Sequence, residues 1–237
     1  FNLKKDDLIL DIGGNDGTQM IQYQKAGMNN VINIESANNI AKISRKSGVK
    51  TFNNFFNYEF TKNTIGKNNV KLINASGVFF HLEELHSVIK AIKYCLNRLE
   101  GVLIIQFMYV GSIVKKCTFD SIYHEHLCLY TIKSLATLLK IYDFSIFDAY
   151  HVNIHSGSII VKACNKKSPL NVKTSRYKKA IKEDKKYSPK RILKFADEAK
   201  RKANKIKKLI LSLKKTNPSV KIYCYGSPAK GNTLLNY

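Results

Sequence analysis

Long apolar stretches are missing from this sequence. The best run, "VLIIQFMYV" at 102–110, is of strand length, whereas a membrane helix needs about 18–20 apolar residues, so no membrane partner is expected. Paired cysteines are missing too. Cys95, Cys117, Cys128, Cys164 and Cys224 stand dispersed with no C-x-x-C, which argues against a zinc cage or a disulfide framework and suits a reducing cytoplasm. Acidic residues are few, 17 against 40 Lys+Arg, for a formal charge of +23. Such charge can mark a nucleic-acid or anionic-membrane binder. But arginine is scarce as well: only Arg45, Arg98, Arg176, Arg191 and Arg201. Arginine is the side chain that grips phosphate bidentately and reads guanine edges. The lysine excess travels with Asn and Ile, as in "NTIGKNNVKLIN", and those residues share A/T-rich codons. We therefore expect no nucleic-acid partner. What survives is a positive field that attracts an anionic small substrate. No signal peptide is legible, but the chain opens on Phe1 rather than Met, so a missing upstream segment is expected.

What is present is ample core material: 44% hydrophobic residues with 12 Phe and 13 Tyr in 237, enough for one large domain, or one domain and part of another. Strand and helix signals alternate. Strands are predicted at 8–14, 30–35, 70–76 and 102–107, with a weaker one at 50–52. Helices are predicted at 18–27, 37–48 and 82–101, where Leu85, Val88, Ile89, Ile92, Leu96 and Leu99 form a stripe. A helix over 134–143 and a terminal strand pair, "FSIFDAYHV" and "GSIIVKAC", follow. This rhythm predicts an α/β fold with an open, mostly parallel sheet and helices on both faces. Residues 1–165 are read as that domain and 166–188 as a Lys-rich linker or exposed helical segment. In 189–237, Ser188-Pro189 caps a helix, and "VKIYCYGSPAKGNTLLNY" reads as strand, glycine loop and helix start, the beginning of a second α/β domain cut off after Tyr237.

"LDIGGNDGTQM" follows a strand and opens a helix. Gly13, Gly14 and Gly17 let the backbone turn sharply and approach a ligand. The pattern is not G-x-G-x-x-G, and it lacks the Lys and Ser/Thr of a phosphate-binding P-loop. Asp11 aims a carboxylate into the loop, which suits a cationic or hydroxyl-bearing ligand. Glu35 ends the next strand, where an acid can accept from ribose hydroxyls. A strand-turn-helix without a ligand is the alternative. D-x-G-x-x-x-G with a strand-end Glu resembles the S-adenosylmethionine site of class I methyltransferases.

"FDSIYHEHLCLYT" at 119–131 gathers Asp120, Tyr123, His124, Glu125 and His126. Two histidines two apart could chelate on a strand, but no third ligand can be placed among His81, His86, His151 and His155, so no metal is expected. A histidine can take and return a proton near neutral pH, with Glu125 or Asp120 orienting it and Tyr123 facing an oxyanion. On a helical turn, Tyr123 and His126 would share a face. A buried polar turn whose groups satisfy one another stays open.

Taken together, "DIGGNDGT", "FDSIYHEHLCLYT", "SGS" at 156–158 and "YGSPAKGNTLLNY" at 225–237 resemble, in order, the motifs of the S-adenosylmethionine-dependent sugar C-methyltransferases. The resemblance implies C-methylation of a nucleotide-linked keto-deoxysugar. A base takes the α-proton, and the enolate carbon then attacks the cofactor's methyl. It implies His126 as base, with Tyr123, Glu125 and His81 assisting. Asp11, Gly13, Gly14, Asn15, Gly17, Glu35 and Asn74 would hold the cofactor, and His124, Lys230 and Asn232 the substrate. The family's N-terminal zinc domain is not found in this sequence. Runner-up readings are an O- or N-methyltransferase on another small molecule, and a basic nucleic-acid-binding module.

Overall fold

The computed structural model describes residues 2–155, 157–226 and 228–236. Five strands, β1 (Leu8–Ile12), β2 (Val31–Ile34), β3 (Lys50–Phe52), β4 (Val70–Ser76) and β5 (Val102–Met108), run parallel. Between them lie helices α1 (Thr18–Lys25), α2 (Asn38–Lys46), α3 (Tyr58–Thr64) and α4 (Leu85–Cys95). After β5 come α5 (Val110–Lys116), a 3-10 turn at Phe119–Ser121 and α6 (Ile132–Ile141), then the strands β6 (Phe144–Val152) and β7 (Ser158–Asn165). The sheet order is β3-β2-β1-β4-β5-β7-β6, with β7 antiparallel to both neighbours.

The central strands are buried on both faces, which is why they read as continuous apolar runs. Leu10, Ile12, Ile73 and Leu103 pack with Ile89 and Ile92 of α4. Ile9, Leu72 and Val102 pack on the other face with Met20 of α1. The strand order reverses direction at β1 and β4, and the loops leaving their carboxyl ends flank the crevice where such sheets bind ligands.

Three expectations need correction. The helix over 82–101 is shorter, Leu85–Cys95. Asn97 ends it: its backbone N–H is given to Val70 of β4, and its Oδ1 accepts from Leu99 and Glu100 N–H, so Leu99 leaves the stripe and is exposed. Two short helices, α3 and α5, went unread. The predicted strand at "VKIYCYG" does not form, because among the described residues no neighbouring strand accepts its ladder. The helix after it does form, as α9 (Ala229–Asn236).

The Lys-rich stretch contains α7 (Ser175–Asp184), which packs on β6 and α6. Arg176 and Thr174 hold the buried Asp148 of β6. α8 (Pro189–Thr216) starts where Ser188 Oγ accepts from Arg191 N–H with Pro189 in the first turn. Phe195 and Ala199 bury against Val110, Ile113 and Val114 of α5. The far end of α8 leaves Leu209, Leu211 and Leu213 exposed.

Candidate active site

The glycine loop is built on close approaches. Gly13 has φ +62 and Gly17 φ +83, in the left-handed region. A Cβ on Gly14 would lie 2.4 Å from Asn33 Oδ1 and 2.6 Å from Asp11 Oδ2. Asn15, at φ 55, is a residue type that tolerates this region. Its N–H donates to Glu35 Oε2 at 3.1 Å, and Ala37 N–H donates to Oε1 at 2.8 Å. Glu35 thereby ties the loop to the end of β2.

Asp11 lies beneath the loop rather than in the open. It is 2% exposed, and burial, helped by the charge of Glu35, pushes its carboxyl up to about 7. Its register neighbours are Asn33 and Asn74. Asn33 donates to Asn15 O and Ser44 Oγ, both at 3.0 Å, and its buried Oδ1 has no partner among the described residues. Asn74 faces the Tyr23 hydroxyl, with contacts of 3.4 and 3.5 Å. Sequence reading missed Asn33, Ser44 and Tyr23. A polar residue in an apolar strand was the available signal for Asn33.

Beside the loop opens a cleft of about 810 Å³, within the range of small-molecule sites. Gly13, Val78 and His81 line one side. Ser36, Phe55 and Phe56 line another. Glu59, Glu83 and Glu84 line it as well, and no Lys or Arg does, in a chain that carries 40 of them. The lining suits a nucleoside bearing a positive charge.

His81 joins the cleft to the second motif. His126 N–H donates to Tyr123 O at 2.9 Å, closing a turn that puts the Tyr123 and His126 rings 4.0 Å apart. The His81 and His126 rings are 5.1 Å apart. Each imidazole is fixed by a carbonyl at 2.6 Å: His81 Nδ1 by Glu125 O, His126 Nδ1 by Ser121 O. A carbonyl only accepts, so both Nδ1 atoms carry a proton, and in the neutral form of each ring Nε2 is the bare nitrogen. Burial is the main force lowering the His126 pKa, opposed by the Ser121 contact and reinforced by His81 and Lys230. Burial, then Glu125, raises that of Tyr123.

The remaining residues fall less centrally. Glu125 contributes its carbonyl, while its carboxylate is largely exposed, 3.9 Å from an 88% exposed His124. Lys230, on α9, is close enough to influence His126, because α9 packs against the Phe119–Ser121 turn. Asn232 is exposed and bonds Asn236. Gly157 of "SGS" is described, at φ +126. Ser156, and Ser227 and Tyr237 of the C-terminal motif, lie outside the described residues. Among those described, no three His, Cys, Asp or Glu side chains group to hold a metal, and no helix is long and apolar enough to cross a membrane.

A mostly parallel sheet with a reversed strand inside its edge, a glycine loop and a cleft with an acidic lining define a class I methyltransferase fold. Residues 1–149 match the methyltransferase domain family and residues 153–237 the C-methyltransferase C-terminal domain. The chain belongs to the S-adenosylmethionine-dependent methyltransferases, in the branch that carries the C-methyltransferase C-terminal domain. It is 26% identical over 164 residues to the C-methyltransferase NovU of Streptomyces niveus, covering 69% of this chain and 39% of that protein. The matched stretch thus spans well under half the length of this curated relative. Among solved structures, the PH0226 protein of Pyrococcus horikoshii superposes with a TM-score of 0.56 at 14% identity, over 69% of this chain and 84% of that one. Magnesium protoporphyrin IX methyltransferase of Synechocystis, solved with bound S-adenosylhomocysteine, gives 0.53 at 17%, over 68% and 74%.

Proposed function

We propose that this chain methylates the carbon beside the ketone of a nucleotide-linked deoxysugar, through an enolate. The observation that carries this reading is the bare Nε2 of neutral His126, held next to Tyr123 and to His81, which lines the cleft. S-adenosylmethionine, when bound, supplies an electrophilic methyl group. Glu35, Gly13, Gly14, Asn15 and Gly17 would hold it, with Asp11 and Asn74 beneath.

His126 Nε2 takes the α-proton, as a neutral imidazole can. Tyr123 keeps its phenolic proton, since its pKa is raised, and donates to the ketone oxygen as charge develops there. His81 positions the substrate from the rim. Once the new C–C bond has formed, the His126 imidazolium gives its proton to water. The acidic cleft disfavours a diphosphate, so the anionic part of the substrate would lie outside it, towards Lys230, with His124 and Asn232 at the periphery. The chain's positive charge favours such a substrate. Five free thiols support a cytoplasmic setting.

The test is exchange of the substrate's α-proton in D2O with S-adenosylhomocysteine present. The wild type should exchange it. His126→Asn should lose both exchange and methyl transfer while keeping its S-adenosylhomocysteine affinity. Exchange that persists in the variant would sink the base assignment.

A further inference from the structure

Gln106 lies near the carboxyl end of β5, in register with Ser76 of β4. It is 6% exposed, and its buried Nε2 has no hydrogen-bond partner among the described residues. Leaving a buried donor unpaired is costly, and such groups in native folds call for an outside partner.

There is open space beside the other end of the carboxamide, at Oε1. Gly77 has φ +72, and a Cβ built on it would meet nothing within 4 Å except Gln106 Oε1 at 3.8 Å. Its N–H donates to the Gln106 carbonyl at 3.0 Å, so the open backbone and the carboxamide are held together. The next residue, Val78, reaches the glycine loop: its Cγ2 would be 2.9 Å from a Cβ on Gly13. Gly13 and Val78 both line the cleft. Gln106 therefore stands beside the glycine-loop side of the cleft, away from the side lined by Ser36 and Asn54 next to Glu35. Strand register also puts it on the sheet face that carries Asn33, Asp11, Asn74 and Ser76.

S-adenosylmethionine is a ribonucleoside with an amino-acid tail. With the ribose at Glu35, the tail falls on the glycine-loop side. We infer that Gln106 binds this tail, its Oε1, which faces the open space at Gly77, accepting from the ammonium. Turned end for end, the carboxamide would bring the unpaired Nε2 to that side and donate to the tail's carboxylate, so a zwitterion answers either orientation. The inference rests on S-adenosylmethionine occupying this cleft.

Calorimetric titration of Gln106→Leu against two ligands tests it: S-adenosylhomocysteine, and 5′-methylthioadenosine, which has no amino-acid tail. The variant should bind S-adenosylhomocysteine about tenfold more weakly, the scale of one hydrogen bond to a charged group. Its affinity for 5′-methylthioadenosine should match the wild type. Its ligand-free melting temperature should be no lower, since an unpaired donor has been removed. Unchanged S-adenosylhomocysteine affinity, or an equal loss for both ligands, would overturn the inference. Gln106→Met, of similar length, repeats the test should the leucine variant fold poorly. A wild type that binds neither ligand would sink the cofactor placement itself, and this inference with it.

Discussion

The imidazole of His126 donates a hydrogen bond from Nδ1–H to the carbonyl oxygen of Ser121, 2.6 Å away. That contact leaves Nε2 as the bare nitrogen and points the ring at Tyr123 and His81. A backbone group does the orienting, which side-chain substitutions at Asp120 or Glu125 leave in place.

The His126 pKa is lowered, chiefly by burial and further by His81 and Lys230. Its neutral, basic form therefore persists to lower pH than for an ordinary histidine. Removing the positive charge in Lys230→Met should move the acid limb of kcat/KM towards higher pH. A pH–rate profile of the two proteins checks this; an unmoved limb would place Lys230 away from the base.

Asp11 titrates near 7 in the fold against 3.8 for a free carboxyl, because burial and then Glu35 disfavour its charge. The native state holds a proton that the unfolded chain has released. The stability from this group is thus fully present below pH 3.8 and is lost as pH rises through about 7. Asp11→Asn should remove that slope and be more stable at pH 8 by on the order of 3 kcal/mol. Urea denaturation of both proteins at pH 5 and pH 8 measures the difference.

Gly14→Ala would put a methyl 2.4 Å from Asn33 Oδ1 and 2.6 Å from Asp11 Oδ2. Both side chains are rooted in central strands and cannot retreat. A loss of about 1–3 kcal/mol in stability and of S-adenosylhomocysteine binding is expected, read by thermal melting and calorimetry.

Asp184 of α7 accepts from the Tyr109 hydroxyl at 2.7 Å and from the Ile132 and Lys133 N–H groups at 3.1 and 3.0 Å. One carboxylate thus clamps the end of β5 to the start of α6, the two ends of the segment that carries His126. Asp184→Ala should cost about 2–4 kcal/mol by leaving these donors unpaired. Asp184→Asn, which retains an acceptor, should lose less. Urea midpoints order the three proteins.

Much of the fold was legible because each central strand is apolar on both faces and each long helix has one apolar stripe. α3 and α5 were not, being short and lacking such a stripe, although Asn57 caps α3 by accepting from Phe60 N–H. Extending α4 to residue 101 failed because Leu96 and Asn97 pair with Val70, a contact that periodicity cannot reveal.

By itself, the sequence determined the strand–helix alternation, the glycine loop and the chemical types gathered in Tyr123, His124, Glu125 and His126. These are local properties, written in spacing and residue type. The tertiary structure alone decided that Asn33, Asn74 and Gln106 share a sheet face with Asp11, that β7 enters between β5 and β6, and that Ser121 bares Nε2 of His126. Those outcomes depend on strand register and on where backbone carbonyls point once distant segments pack, and no local pattern encodes either.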